Sequence, residues 1–131
     1  MDSTRRKHPI ERLIALVVEA DHDQRALIAT LLEETDMQVI ECDSAEAALA
    51  VVGMKGDRMA MVFTDVGLAG RMDGVELAQN LEANRPDLPV IVTSTQPGDV
   101  VGHLPDNVVY LAQPWRPLDL LIVAERARRA A

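Results

Sequence analysis

The chain has 131 residues, 13 of them basic and 21 acidic, for a formal net charge of −8, and a chain this short is expected to form one small domain without a second catalytic or fused output domain. Hydrophobic residues make up 48%, yet only Phe63, Tyr110 and Trp115 are aromatic, so Val, Leu, Ala and Met must fill the interior, which suits helices layered on a sheet. The acidic balance repels phosphate backbones and argues against a nucleic-acid binder, and the basic clusters Arg5-Arg6-Lys7 and Arg126, Arg128 and Arg129 read as solvated ends.

Residues 1–9 read as a flexible N-terminal tail ahead of a domain over 10–131. The first apolar run is IALVV at 14–18, and Glu19 interrupts it too soon for a signal or membrane-spanning segment. A soluble cytoplasmic protein is expected. Asp21 or Asp23 then caps a helix whose apolar stripe is Leu27, Ile28, Leu31 and Leu32. MQVIEC at 37–42 alternates like an edge strand and ends on Cys42, which is alone in the chain, so neither a disulfide within it nor a cysteine-rich metal site can form.

Asp43 and Ser44 precede a second helix with the stripe Ala45, Ala48, Leu49 and Val52. MAMVFT at 59–64 leads directly into Asp65, and Asp73 with Glu76 has capping-box spacing before a third stripe of Gly74, Leu77, Ala78 and Leu81. VIVT at 90–93 is followed by Ser94 and by a segment from Gln96 to Asn107 that carries Pro97, Gly98, Gly102 and Pro105, where only a short or irregular fourth helix is expected. VVYLA at 108–112 leads to Gln113-Pro114, and Pro117 is placed to open a last helix that ends among arginines.

Four of the five runs are apolar throughout, as expected for parallel strands covered on both faces, and their alternation with helices predicts a doubly wound α/β sheet. The functional crevice of such a sheet lies at the carboxyl ends of its strands. That makes Glu19, Ala20, Asp21, Asp65, Ser94, Gln113 and Pro114 the candidate site residues. His8, His22 and His103 show no metal-ligand spacing and read as solvent-facing, and Cys42 reads as a small buried hydrophobe.

The stretches ALVVEADHDQR, VFTDVGLAGRMDGVELA, DLPVIVTST and YLAQPWRPLDLL, in this order and spacing, resemble the receiver domains of two-component response regulators from about Ala15 to the end of the chain. The resemblance implies the flavodoxin-like receiver fold, a five-stranded parallel sheet of order 2-1-3-4-5 with helices on both faces. It implies a phosphorelay protein rather than an enzyme, expected from the chain's length to stand alone, which takes a phosphoryl group on Asp65 from a sensor histidine kinase or phosphotransfer protein. Signalling would pass to a downstream protein target, with a homodimer as one further arrangement.

By the same resemblance Glu19, Asp65 and the Gly67 backbone carbonyl would hold Mg²⁺, with Asp21 as a further candidate. Ser94 and Tyr110 would be the switch pair, and Gln113-Pro114 would be a cis peptide. Two positions depart from the pattern, because Ala20 stands where a second acidic metal ligand is usual and Gln113 where a lysine is usual. A unit-charge pair at about 4 Å is worth roughly 4 kcal/mol at an effective dielectric near 20, so the missing carboxylate should weaken metal binding considerably. Gln113 keeps a hydrogen-bond donor and loses a fixed charge.

On the last helix Leu118, Leu121 and Ile122 are expected to face the sheet. Leu120, Val123, Ala124 and Ala127 would then form an uncovered partner face. A pseudo-receiver, a phosphorylation-independent protein-interaction module, is the alternative raised by Ala20 and Gln113. A small α/β enzyme fits poorly, since Gly67 stands where an aspartate-nucleophile phosphatase needs a second aspartate.

Overall fold

The structure, a computed structural model, describes residues 12–95 and 100–130. The 1–9 tail, its basic cluster, His8, the 9/10 domain boundary and Gln96, Pro97 and Gly98 of the irregular segment lie outside the described residues.

Strands β1 (Ile14–Val18), β2 (Gln38–Cys42), β3 (Met59–Asp65), β4 (Val90–Ser94) and β5 (Val109–Ala112) alternate with helices α1 (His22–Leu32), α2 (Ala45–Lys55), α3 (Gly74–Asn84) and α4 (Pro117–Ala130). The strands form one parallel sheet in the order β2-β1-β3-β4-β5, the 2-1-3-4-5 arrangement expected from the sequence. Between β4 and β5 the described residues hold a single 3₁₀ turn, Val101–His103, instead of a fourth α-helix. Pro105 and Gly102 limit what this stretch can add to it.

Helix starts follow the local chemistry of the sequence. Asp21 caps α1 by accepting from the Gln24 N–H at 2.8 Å, and Ser44 caps α2 by accepting from the Ala47 N–H at 3.1 Å. Asp73 and Glu76 close a full capping box on α3, each accepting from the other's backbone N–H.

The period-two alternation along the central strands divides the core in two. Leu16, Val18, Val62 and Val92 pack beneath α2 and α3 with Ala48, Leu77 and Leu81. Ala15, Val17, Phe63 and Ile91 pack on the other face with Ile28 and Leu32 of α1 and with Leu120, Ala124 and Ala127 of α4.

Two expectations are corrected by this packing. The stripe Leu120, Val123, Ala124 and Ala127 is the inward face of α4, not an uncovered one: Leu120 and Ala124 are 0% exposed, whereas Leu118 and Ile122 are 60% and 43% exposed. Both stripes have helical spacing, and the one carrying Ala124 and Ala127 lets the helix axis come close to α1 and β3. The apolar run that forms β5 is also not covered on both faces. It is the second edge of the sheet, and Val109 is 44% exposed, because α4 leans toward α1 and β3 and the described residues before the strand hold no long helix.

Candidate functional site

Register decides which side chains meet. Val18 pairs with Thr64, Asp65 with Thr93 and Ser94 with Ala112, so the chain leaves β1, β3, β4 and β5 at one common edge. Glu19, Asp65, Ser94 and Gln113 thereby line one cavity of about 760 Å³, together with Asp21, Gly67, Asp73, Glu76 and His103. Among the described residues no lysine or arginine lines it.

Glu19 is 6% exposed and its Oε2 accepts from the Asp21 N–H at 3.0 Å. Its proton affinity is raised, chiefly by burial and further by the charges of Asp65 and Asp21, against the opposing hydrogen bond from the Asp21 backbone. Asp65 is half-buried, and burial raises its proton affinity too, against hydrogen bonds from the Gly67 and Val66 backbone. The Gly67 N–H reaches Asp65 Oδ2 at 3.2 Å. Beneath the first loop, Arg25 donates to the Glu19 carbonyl at 2.9 Å and pairs with Glu41 at 3.4 Å, which ties α1 to the end of β2.

Gly74 sets the floor under Asp65. Its N–H donates to the Val66 carbonyl at 2.9 Å, and a Cβ at this position would stand 2.1 Å from the Asp65 carbonyl oxygen. Only glycine lets α3 begin this close to the strand end. On the opposite side the Ser94 carbonyl accepts two hydrogen bonds at 3.0 Å, one from the Tyr110 hydroxyl and one from the Gln113 N–H. Ser94 is buried and Tyr110 half-buried. Tyr110 does not line the cavity but reaches it through this carbonyl.

Asp21 lines the cavity while its Oδ2 is engaged as the α1 cap. Ala20 and Pro114 are exposed, and the Gln113-Pro114 bond is cis, as expected. Among the described residues no three His, Cys, Asp or Glu side chains are grouped so as to hold a metal. Glu19 and Asp65 nevertheless form an oxygen-only pair in which the charge of one raises the proton affinity of the other, a donor set suited to a hard divalent cation that retains several waters.

Cys42 is half-buried with its thiol pushed up to about 11, first by burial and then by Asp43, which keeps it in the thiol form at neutral pH. His22 and His103 are exposed. Three residues of the site region escape sequence reasoning. Gly74 reads there as one more member of an apolar stripe, although its place directly after a capping aspartate is a signal for close approach. Trp115 and Thr93 are joined by a hydrogen bond from Nε1 to Oγ1 at 3.1 Å, and the Trp115 ring meets Phe63 edge to face at 6.2 Å.

The family described as response regulator receiver domain matches residues 15–103. The chain belongs to that family. The receiver is 26% identical over 121 residues to the nitrogen assimilation regulatory protein NtrX of Azorhizobium caulinodans, covering 86% of this chain and 25% of that protein. It is 32% identical over 115 residues to the C4-dicarboxylate transport transcriptional regulatory protein DctD of Rhizobium meliloti, covering 85% and 24%. The crystal structure of the receiver domain of NtrX from Brucella abortus superposes with a TM-score of 0.75 at 27% identity, over 89% of this chain and 99% of that one. The receiver thus spans about a quarter of the curated relatives' length. Receiver domains of this family serve two-component signal transduction, as partners of histidine kinases and of downstream effectors. Among the described residues no helix is long and apolar enough to cross a membrane.

Proposed function

We propose that this receiver accepts a phosphoryl group on Asp65 from a sensor histidine kinase or phosphotransfer protein and signals by changing its affinity for a downstream protein. The observation that carries the reading is the convergence of Asp65, Glu19, Ser94 and Gln113 on one cavity at the carboxyl edge of the sheet. Transfer is a balanced displacement. An Asp65 carboxylate oxygen forms a bond to phosphorus as the P–N bond of the donor's phosphohistidine breaks, and the imidazole nitrogen leaves with the electron pair and takes up a proton.

Asp65 must be ionised to attack, and its raised proton affinity makes it a better nucleophile once it is. Glu19, Asp65 and the Gly67 carbonyl would hold Mg²⁺, which supplies the positive charge that offsets the incoming phosphoryl oxygens. Ser94 contributes a hydroxyl and Gln113 an amide as neutral donors to those oxygens. Tyr110, bonded to the Ser94 carbonyl, would carry any displacement of Ser94 to the exposed side of β5.

Incubation with acetyl phosphate and Mg²⁺ is expected to add the mass of one phosphoryl group, and the addition should vanish in Asp65→Asn. An unmodified wild-type chain, or modification that survives the substitution, overturns the proposal. The stand-alone role is checked by immunoblotting the source cells, where a band near 14.3 kDa is expected and a several-fold larger one overturns it. A second reading, a pseudo-receiver that docks without phosphorylation, is favoured by the absence of lysine and arginine among the described residues of the cavity lining. It predicts that Asp65→Asn leaves partner binding unchanged.

A further inference from the structure

Among the described residues the cavity offers an incoming phosphoryl group no fixed cationic side chain, and on the β5 side it offers the amide of Gln113. A lysine ammonium on a flexible stem is drawn to a carboxylate by charge. A neutral amide feels little such pull, and a neutral hydrogen bond is too weak to order a loose loop by itself. The amide can therefore act only if its backbone is already in place.

Two anchors hold that backbone. Upstream, the Gln113 N–H is bonded to the Ser94 carbonyl at 3.0 Å. Downstream, just past the following proline, Trp115 donates from Nε1 to Thr93 Oγ1 at 3.1 Å and sets its ring edge-on against Phe63, with the planes at 84°. Both contacts lead back to Asp65. Phe63 lies two residues before it on the same face of β3, and Thr93 is its register partner on β4. Thr93 and Phe63 are both 0% exposed, so the anchor points are rigid parts of the core.

We propose that Trp115 and Thr93 are positioning residues, which clamp the loop carrying Gln113 to the two strands that carry Asp65 and Ser94. The inference rests on the phosphoacceptor reading above and adds to it a specific dependence of Gln113 on the clamp.

The test compares phosphorylation rates with acetyl phosphate at saturating Mg²⁺, together with Mg²⁺ affinity and thermal midpoint. Thr93→Val and Trp115→Phe each remove one side of the hydrogen bond and keep most of the volume. Both are expected to slow phosphorylation about three- to tenfold, the worth of one neutral hydrogen bond, with Mg²⁺ affinity unchanged. Thr93→Ser keeps the hydroxyl and should retain the wild-type rate. In a Gln113→Lys background, where charge can recruit the side chain, the Thr93→Val loss should shrink to within about twofold.

A wild-type rate in Thr93→Val overturns the proposal, as does an equal loss in Thr93→Ser or an undiminished loss beside Gln113→Lys. If the wild-type chain takes up no phosphoryl group, the phosphoacceptor reading falls and the clamp with it. If wild type is modified and Thr93→Val is unimpaired, the clamp alone falls.

Discussion

Glu19 and Asp65 are held at the strand ends at a cost to the fold. Burial raises the proton affinity of both, so folding favours their protonated forms. That favourable contribution is present in acid, below their ordinary values, and is lost as the pH rises through the raised ones; at neutral pH the ionised pair destabilises the native state. Asp65→Asn is therefore expected to raise the thermal midpoint by a few degrees at pH 7, with the gain shrinking as the pH falls toward the ordinary carboxylate range. An unchanged midpoint at pH 7 would contradict the assignment of burial as the dominant influence. Added Mg²⁺ should produce a similar rise in wild type and none in the variant. Most of these residues were legible in the sequence, since each directly follows an apolar run. Asp21 was legible twice over, as a cap and as a site residue, and its side chain does cap α1. Trp115 and Thr93 were not, because a hydrogen bond between residues 22 positions apart leaves no local pattern.

At the scale of elements, local signals located the helices and could not set the phase of every one. The capping box of α3 and the stripe behind it agree, so one reading satisfies both. In α4 two apolar stripes compete, and the choice falls to the one whose small Ala124 and Ala127 fit against α1 and β3. Leu120→Ala should accordingly cost about 2–5 kcal/mol in chemical denaturation, whereas Ile122→Ala should stay within about 0.5 kcal/mol. Comparable losses at the two positions would mean that the inward stripe has been misassigned. Gly74 gives a second element-scale expectation. A methyl group there meets the Asp65 carbonyl at 2.1 Å, so the start of α3 must move away from β3. Gly74→Ala is expected to destabilise by about 1–3 kcal/mol and to slow phosphorylation as well, since Gly74 holds by its N–H the carbonyl of Val66, the residue directly after Asp65. The exposure of β5 has the same kind of origin: an apolar run states that a strand can be buried, and the neighbouring elements decide whether it is.

Over the whole molecule the charge of −8 separates into a solvated surface and a cavity that, among the described residues, is lined by five carboxylates without a lysine or arginine. If Ala20 and Gln113 weaken the site, Ala20→Asp with Gln113→Lys should raise both Mg²⁺ affinity and phosphorylation rate by about tenfold or more, even after solvation recovers much of the gross Coulomb energy. Titration with Mg²⁺ and a timed mass assay check this, and a double variant no faster than wild type would contradict it. By itself the sequence determined the layered α/β class, the strand and helix inventory, the helix caps, the strand-end carboxylates and the two departures at Ala20 and Gln113. These properties are written in short-range patterns: period-two or helical spacing, turn residues, and position after an apolar run. Only the tertiary structure decided the inward face of α4, the exposure of β5, the approach permitted by Gly74 and the clamp between Trp115 and Thr93. Each of these depends on which surfaces of distant segments come within a few ångströms, and that is set by register and helix packing over the whole sheet.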